Sequence, residues 1–269
     1  MLFRSGRLYV LGAPRKNGKT TVLVNWLSHL AFHEQIPCAL FSLEMKATAL
    51  AEKIIAAEAS VDSFRLRMAT LDGEEWVRIT NAIANRYEAP LYIDDRRAVK
   101  ADYIAAQARR AVRRYGVRVV AVDYFQLVSR GRAESARIGY VDICHAMQAL
   151  AGEANVAVVL LSQIGRSAQA RPDQRPTTAD LMETSALEQD ADVVTLLYHR
   201  PDGIPSPEGN VLELIVAANR HGPERTAPVY WQPGLQRVRD VTDAEDNASR
   251  SEGPRNRSKP FWQKDGGDD

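Results

Sequence analysis

Residues 13–20 read Ala13-Pro14-Arg15-Lys16-Asn17-Gly18-Lys19-Thr20. This is the Walker A pattern: Ala or Gly, four residues, then Gly-Lys and Ser or Thr. The apolar run at 7–11 before it reads as a short strand, and 21–27 after it carries the apolar spacing of a helix. A loop that wraps phosphate needs inward-pointing backbone N–H groups, and Gly18 permits the tight conformation. The helix starting near Lys19 aims the positive end of its dipole at the anion. The Lys19 ammonium is placed to reach the β- and γ-phosphates, and the Thr20 hydroxyl to ligate Mg²⁺. The nucleotide-binding candidates are Ala13, Pro14, Arg15, Lys16, Asn17, Gly18, Lys19, Thr20 and Thr21, with ATP and Mg²⁺ as ligands.

The chain alternates strand and helix, which predicts an α/β fold: a mostly parallel central sheet covered by helices on both faces. Strands are expected at 39–42, 91–93, 117–122 and 156–161, with further C-terminal strands at 193–198, 212–217 and 228–231. Helices are expected at 47–59, 74–87, 101–115 (with a basic face) and 138–154. Two arginine-bearing loops stand out, 129–139 with Arg130, Arg132 and Arg137, and 165–178 with Arg166, Arg171 and Arg175. Residues 1–240 read as one domain. Residues 241–269 have little aliphatic content and mixed charge, and read as a disordered tail carrying Pro260-Phe261-Trp262.

A net charge of +1 confines any polyanion site to a local patch. Cys38 and Cys144 lack metal-type spacing and read as free buried thiols in a reducing, cytoplasmic setting. No apolar run approaches membrane-spanning length, so no membrane partner is expected. His29 and His33, four apart on the first helix, lack a third ligand nearby in sequence.

A phosphate loop needs a metal-holding carboxylate at the end of another apolar strand. Val119-Val120-Ala121-Val122-Asp123 supplies it. Asp123 is followed by Tyr124 rather than an acid, so the group that activates water must lie elsewhere. Glu44, just beyond the second strand, sits where parallel strands line a ligand crevice.

With these residues in place the chain resembles the motor domain of DnaB-type replicative helicases. The resemblance runs over about residues 6–235, through the phosphate loop and four later motifs. These are Phe41-Ser42-Leu43-Glu44-Met45, then Val122-Asp123-Tyr124-Phe125-Gln126-Leu127, then Leu161-Ser162-Gln163, then Leu187-Glu188-Gln189-Asp190-Ala191-Asp192. It implies a RecA-like P-loop NTPase fold and a hexameric ring that hydrolyses ATP and translocates on single-stranded DNA during replication. It also implies that Thr20 and Asp123 hold Mg²⁺, that Glu44 and Lys19 are catalytic, and that Gln163 senses the γ-phosphate. Asn219-Arg220-His221-Gly222-Pro223 resembles the family's finger motif, in which Arg220 enters the neighbouring subunit's site.

The match departs from the family pattern in three places. Ala218 stands where a lysine is usual. In Asp180-Leu181-Met182-Glu183-Thr184-Ser185-Ala186, Met182 replaces an arginine and Ser185 a glycine in a stretch that holds the DNA backbone. The DNA-binding candidates are therefore Glu183 and Ser185 together with Arg130, Arg132, Arg137, Arg166, Arg171 and Arg175, which compensate from the two loops or are ordinary solvated charge. Family members also carry an N-terminal domain and linker helix, while this chain begins almost at its first strand. A loader, a primase or a separate subunit is the expected partner. Two other readings stay open: an accessory ATPase that loads or regulates another helicase, and a filament-forming module.

Overall fold

The computed structural model describes residues 3–84, 86, 88–131, 135–165, 167–168, 171–181, 186–199 and 210–242. Its strands are β1 (Leu8–Ala13), β2 (Cys38–Ser42), β3 (Leu91–Asp94), β4 (Val119–Asp123), β5 (Ala157–Gln163), β6 (Val193–His199), β7 (Asn210–Asn219), β8 (Arg225–Gln232) and β9 (Arg237–Asp240). They form one sheet in the order β3-β2-β4-β5-β1-β6-β7-β8-β9. The first six run parallel, and β7, β8 and β9 add as an antiparallel meander.

The helices are α1 (Lys19–Ser28), α2 (Ala47–Ala59), α3 (Ser63–Met68), α4 (Gly73–Ala84), α5 (Ala101–Tyr115), α6 (Ala136–Ala154) and α7 (Ala186–Asp190). The central strands are continuous apolar runs because both faces are covered, and alternate residues feed opposite cores. Val10, Val120, Val122, Val158 and Leu160 pack beneath α5 and α6, against Ile104, Ala108, Met147 and Leu150. Their neighbours Leu11, Val119, Ala121, Val159 and Leu161 pack beneath α1 and α2, against Val22, Leu23, Leu27 and Leu50. Each such fully buried aliphatic side chain contributes about 1.5–3 kcal/mol relative to exposure. Cys38 and Cys144 are free and buried within these two layers, and burial pushes both thiols up to about 12.

The expected architecture is observed, with adjusted boundaries. β4 begins at Val119, not at 117, because the Arg118 N–H turns to the Pro37 carbonyl before pairing starts. β5 runs two residues further than expected, to Gln163, because Ala13 of β1 continues opposite it. α6 begins at Ala136, capped by the Ser135 hydroxyl on the Ile138 N–H. Arg137 is therefore helical, not a loop residue. α4 stops at Ala84, short of the expected 87. Sequence reading missed α3, six residues with none buried, and β9, whose Arg-Val-Arg-Asp lacks strand chemistry. Pro228 is tolerated inside β8 because β9 pairs only from Val229 onward.

His29 and His33 fall on a π-helical turn that continues α1, with ring centroids 5.4 Å apart. No group of three metal-capable side chains occurs among the described residues, and no described helix is long and apolar enough to cross a membrane. Arg132, Arg166, Glu183, Ser185 and the tail beyond Thr242 lie outside the described residues.

The segment between β5 and α7 is pinned by one buried carboxylate. Asp180 accepts from the Ser167 hydroxyl at 2.7 Å, from the Thr177 N–H at 2.8 Å and from the Arg171 guanidinium. Burial alone would raise its pKa, but the Arg171 and Thr177 donors outweigh burial and hold it well below the usual carboxylate range. A depressed folded-state pKa contributes stability above the unfolded value of about 3.9, lost as pH falls below it. Asp180→Asn is therefore expected to lower the urea midpoint at pH 7. The gap to wild type should narrow below about pH 4, as read by unfolding titrations across pH.

Candidate active site

β1, β2, β4 and β5 all end at one edge of the sheet, with Ala13 level with Gln163 and Ser42 level with Asp123. Four expected site residues therefore converge although they are far apart in sequence. Pro14–Gly18 crosses from β1 to α1, and Gly18 caps the helix at φ +79°. The Trp231 ring lies over it: a Cβ added there would stand 3.4 Å from the ring. The first turn of α1 presents its unpaired N–H groups to the same crevice.

Beside the loop the charges are tightly set. Asp123 is fully buried. Its Oδ2 accepts from Thr20 Oγ1 at 2.7 Å, while its Oδ1 is buried without a partner among the described residues. The Lys19 ammonium lies 4.2 Å from the centre of the Tyr124 ring. Burial lowers the Lys19 pKa, against the pull of Asp123 and Glu44. Burial raises the Asp123 pKa, against Lys19 and Thr20. A buried carboxylate oxygen without a donor is costly unless a cation or donor meets it, so this pair fits a divalent ion with a bound phosphate chain.

Glu44 is exposed two residues past β2. Its turn is fixed by Leu43 N–H to the Asp123 carbonyl at 2.7 Å and Ser42 Oγ to the Met45 carbonyl at 2.7 Å. Arg97 donates to the Glu44 carbonyl at 3.0 Å, which leaves the carboxylate free to face the crevice. Gln163 accepts from Arg15 Nε at 3.1 Å, so the end of β5 touches the phosphate loop directly. Gln126 clamps that end through Ser162 Oγ at 3.0 Å and the Gln163 N–H at 3.2 Å.

The crevice has a volume of about 580 Å³, and a third wall that sequence reading missed. Lys53 of α2, Trp231 of β8 and Gln236 of the β8–β9 turn line it beside Lys19, Thr21 and Glu44. His199 supports Trp231 edge-on at 5.1 Å and meets the Asn17 carbonyl at 3.3 Å. A second cavity of about 490 Å³, between Phe3, Trp26 and Leu214, is mostly apolar; Arg4, Arg7 and Arg225 reach its lining, but no carboxylate does.

Arg220 lies elsewhere. β7 runs antiparallel, so its last residue, Asn219, sits level with Val193 and through it with Tyr9, at the opposite edge of the sheet. Tyr9 to Ala13 spans about 13 Å of strand before the loop begins. Arg220 donates its backbone N–H to the Asp192 carbonyl at 2.9 Å and its guanidinium to the Gln189 carbonyl.

The loop arginines divide. Arg130 is exposed and stacks 5.0 Å from the centre of the Tyr140 ring, and Arg137 is exposed on the first turn of α6. Arg171 is engaged by Asp180, and Arg175 by Glu213 at 2.8 Å. These last two hold their loop against buried carboxylates.

A model of the DnaB-like helicase C-terminal domain matches residues 2–240. The replicative DNA helicase DnaB of Leifsonia xyli subsp. xyli is 35% identical over 239 residues, 88% of this chain and 52% of its own length. That of Geobacillus stearothermophilus is 35% identical over 233 residues, 85% of this chain and 51% of its own. The chain thus spans about half the length of the curated relatives it matches. A solved DnaB-like replicative helicase, described with its interactions with primase, superposes with a TM-score of 0.84 at 25% identity. It covers 89% of this chain and 58% of that one. A solved ATPase domain superposes with a TM-score of 0.83 at 26% identity, over 89% of this chain and 86% of that one. These likenesses bear out the RecA-like α/β fold.

A carboxyl whose folded-state pKa lies above its unfolded value costs stability once pH exceeds that unfolded value, about 3.9. Asp123→Asn is therefore expected to raise the melting temperature of the ligand-free protein at pH 7 while abolishing divalent-dependent nucleotide turnover. A variant less stable than wild type would contradict the dominance of burial at this carboxylate.

Proposed function

The chain belongs to the DnaB-like helicase C-terminal domain family, and on that footing we propose that it is an ATP-hydrolysing motor that moves single-stranded DNA. The observation that carries this reading is the Asp123 carboxylate, fully buried, bound on one oxygen by Thr20 and unpartnered on the other beside the phosphate loop. Lys19 binds the β- and γ-phosphates, and Thr20 and Asp123 hold Mg²⁺. Bound Mg²⁺ neutralises phosphate charge. Glu44 orients the attacking water and takes its proton, and Gln163 passes the state of the γ-phosphate into the loop after β5.

Arg220 cannot serve its own phosphate loop across the sheet. A neighbouring copy supplies it, which makes each active site an interface and favours closure of identical subunits into a ring, six in this proposal. Of the DNA-binding candidates, Arg130 and Arg137 are exposed, and together with Arg132, Arg166, Glu183 and Ser185 they are proposed to meet the DNA backbone. Arg171 and Arg175 reach DNA only by leaving Asp180 and Glu213. A loader or a primase is the proposed protein partner.

A second reading is an ATPase that acts on another helicase. It is favoured by the engagement of Arg171 and Arg175 with carboxylates and by Met182 in place of a basic residue. ATP turnover with and without single-stranded DNA, across salt, separates the two. The motor reading expects strong stimulation that fades as salt rises, with Lys19→Ala and Glu44→Ala both reduced to background. Turnover indifferent to DNA would put the accessory reading first.

A further inference from the structure

Lys53 stands out among the basic side chains around the crevice. On α3 and just past α4, Arg65 pairs with Glu75 at 2.5 Å, Arg67 with Glu52 at 3.6 Å and Arg86 with Glu58 at 2.8 Å. Among the described residues no carboxylate lies within ion-pair distance of Lys53. Lys53 is half-buried in the wall of the phosphate crevice, and its ammonium donates to a neutral amide oxygen, Gln236 Oε1. A cation withdrawn from water without a counterion is an unfavourable arrangement, and it faces the place where a triphosphate would lie.

Its acceptor has a second duty. Gln236 Oε1 also takes the Thr21 hydroxyl at 3.2 Å, from the first turn of α1. The Gln236 backbone sits at φ +52° and its carbonyl accepts from Asn25 Nδ2 at 2.9 Å. Asn25 Oδ1 receives the Val238 N–H at 3.0 Å, and the Gly234 carbonyl receives the Ser63 N–H at 2.8 Å. The turn between β8 and β9 is thus hooked to α1, α2 and α3 at once, and β8 carries the Trp231 ring that covers Gly18.

We infer that Lys53 is a second phosphate-binding cation of the crevice, and that its exchange between Gln236 and the nucleotide couples occupancy to the β8–β9 turn. This rests on the ATP-binding reading above. With nucleotide present Lys53 turns to the phosphates, Gln236 Oε1 keeps only the Thr21 hydroxyl, and the turn loosens from α2. Empty, the crevice returns Lys53 to Gln236 and the turn locks. The device reports occupancy on the side of the crevice away from Gln163.

The test uses the full chain with Mg²⁺, and compares wild type, Lys53→Gln and Lys53→Arg. Affinities for ATP, ADP and adenosine are read by competition against a fluorescent ADP analogue. Hydrogen exchange is followed at residues 234–238. Lys53→Gln is expected to weaken ATP and ADP by about ten-fold or more while leaving adenosine unchanged, and Lys53→Arg to restore most of the loss. ATP is expected to speed exchange in the turn of wild type and not of Lys53→Gln. If wild type binds nucleotide and Lys53→Gln binds it equally well, or loses adenosine to the same degree, this inference is overturned while the ATP site stands. A wild-type chain that binds no nucleotide would overturn both.

Discussion

The hydrogen bond from the Thr20 hydroxyl to the buried Asp123 carboxylate joins two segments that fold far apart in sequence. One is the first turn of α1, which follows β1, and the other the end of β4, with β5 between β4 and β1 in the sheet. For the bond to form, β1, β5 and β4 must lie parallel in fixed register, and they do: β1 and β5 end together at Ala13 and Gln163, while β4, with Val122 opposite Leu160, ends short of them beneath the loop. The residues that make the sheet are the alternating apolar ones that feed its two cores. The same packing that stabilises the fold thus sets the geometry at its edge. The carboxylate itself is withdrawn from water with one oxygen unmet, a cost in folding stability at the place where the divalent ion is proposed to bind.

Charge is distributed with corresponding economy. Among the described residues Lys53 has no carboxylate within ion-pair distance and Lys19 feels Asp123 and Glu44 only from further off, whereas the arginines of α3, the α4 region and the segment after β5 are mostly matched to acids. The protein's near-neutral total hides this difference. What matters to an incoming triphosphate is that two partly desolvated cations face one space, within reach of the dipole of α1. Arg220, the proposed finger, lies outside that space for a topological reason. β7 returns antiparallel, so its end lies where the parallel strands begin.

Much of this was legible in the residues. The phosphate loop, Asp123, Glu44 and Gln163 sit at the ends of apolar runs, and strand ends in a parallel sheet share an edge. The far wall was not legible. Gln236 meets Thr21 across 215 residues and Lys53 across 183, and nothing local in either segment announces the other. β9 was hidden for the same reason: its four residues become a strand only because β8 offers an edge and Asn25 holds the turn. The loop arginines were ambiguous because a solvated arginine and one paired with a buried acid look alike in sequence. Asp180 decides for Arg171, and Glu213, on a later strand, decides for Arg175.

The account depends most on the active site being shared between copies. Subunits carrying Arg220→Ala and subunits carrying Lys19→Ala each hold one intact half-site, so the direct measurement is ATP turnover of the two variants alone and mixed. Each alone is expected to fall by about 10³–10⁵ relative to wild type while Arg220→Ala still binds nucleotide. Mixing is expected to restore a substantial fraction of turnover, as intact phosphate loops meet intact arginines. Full turnover by Arg220→Ala alone, or no recovery in mixtures shown to co-assemble, would contradict a site completed in trans.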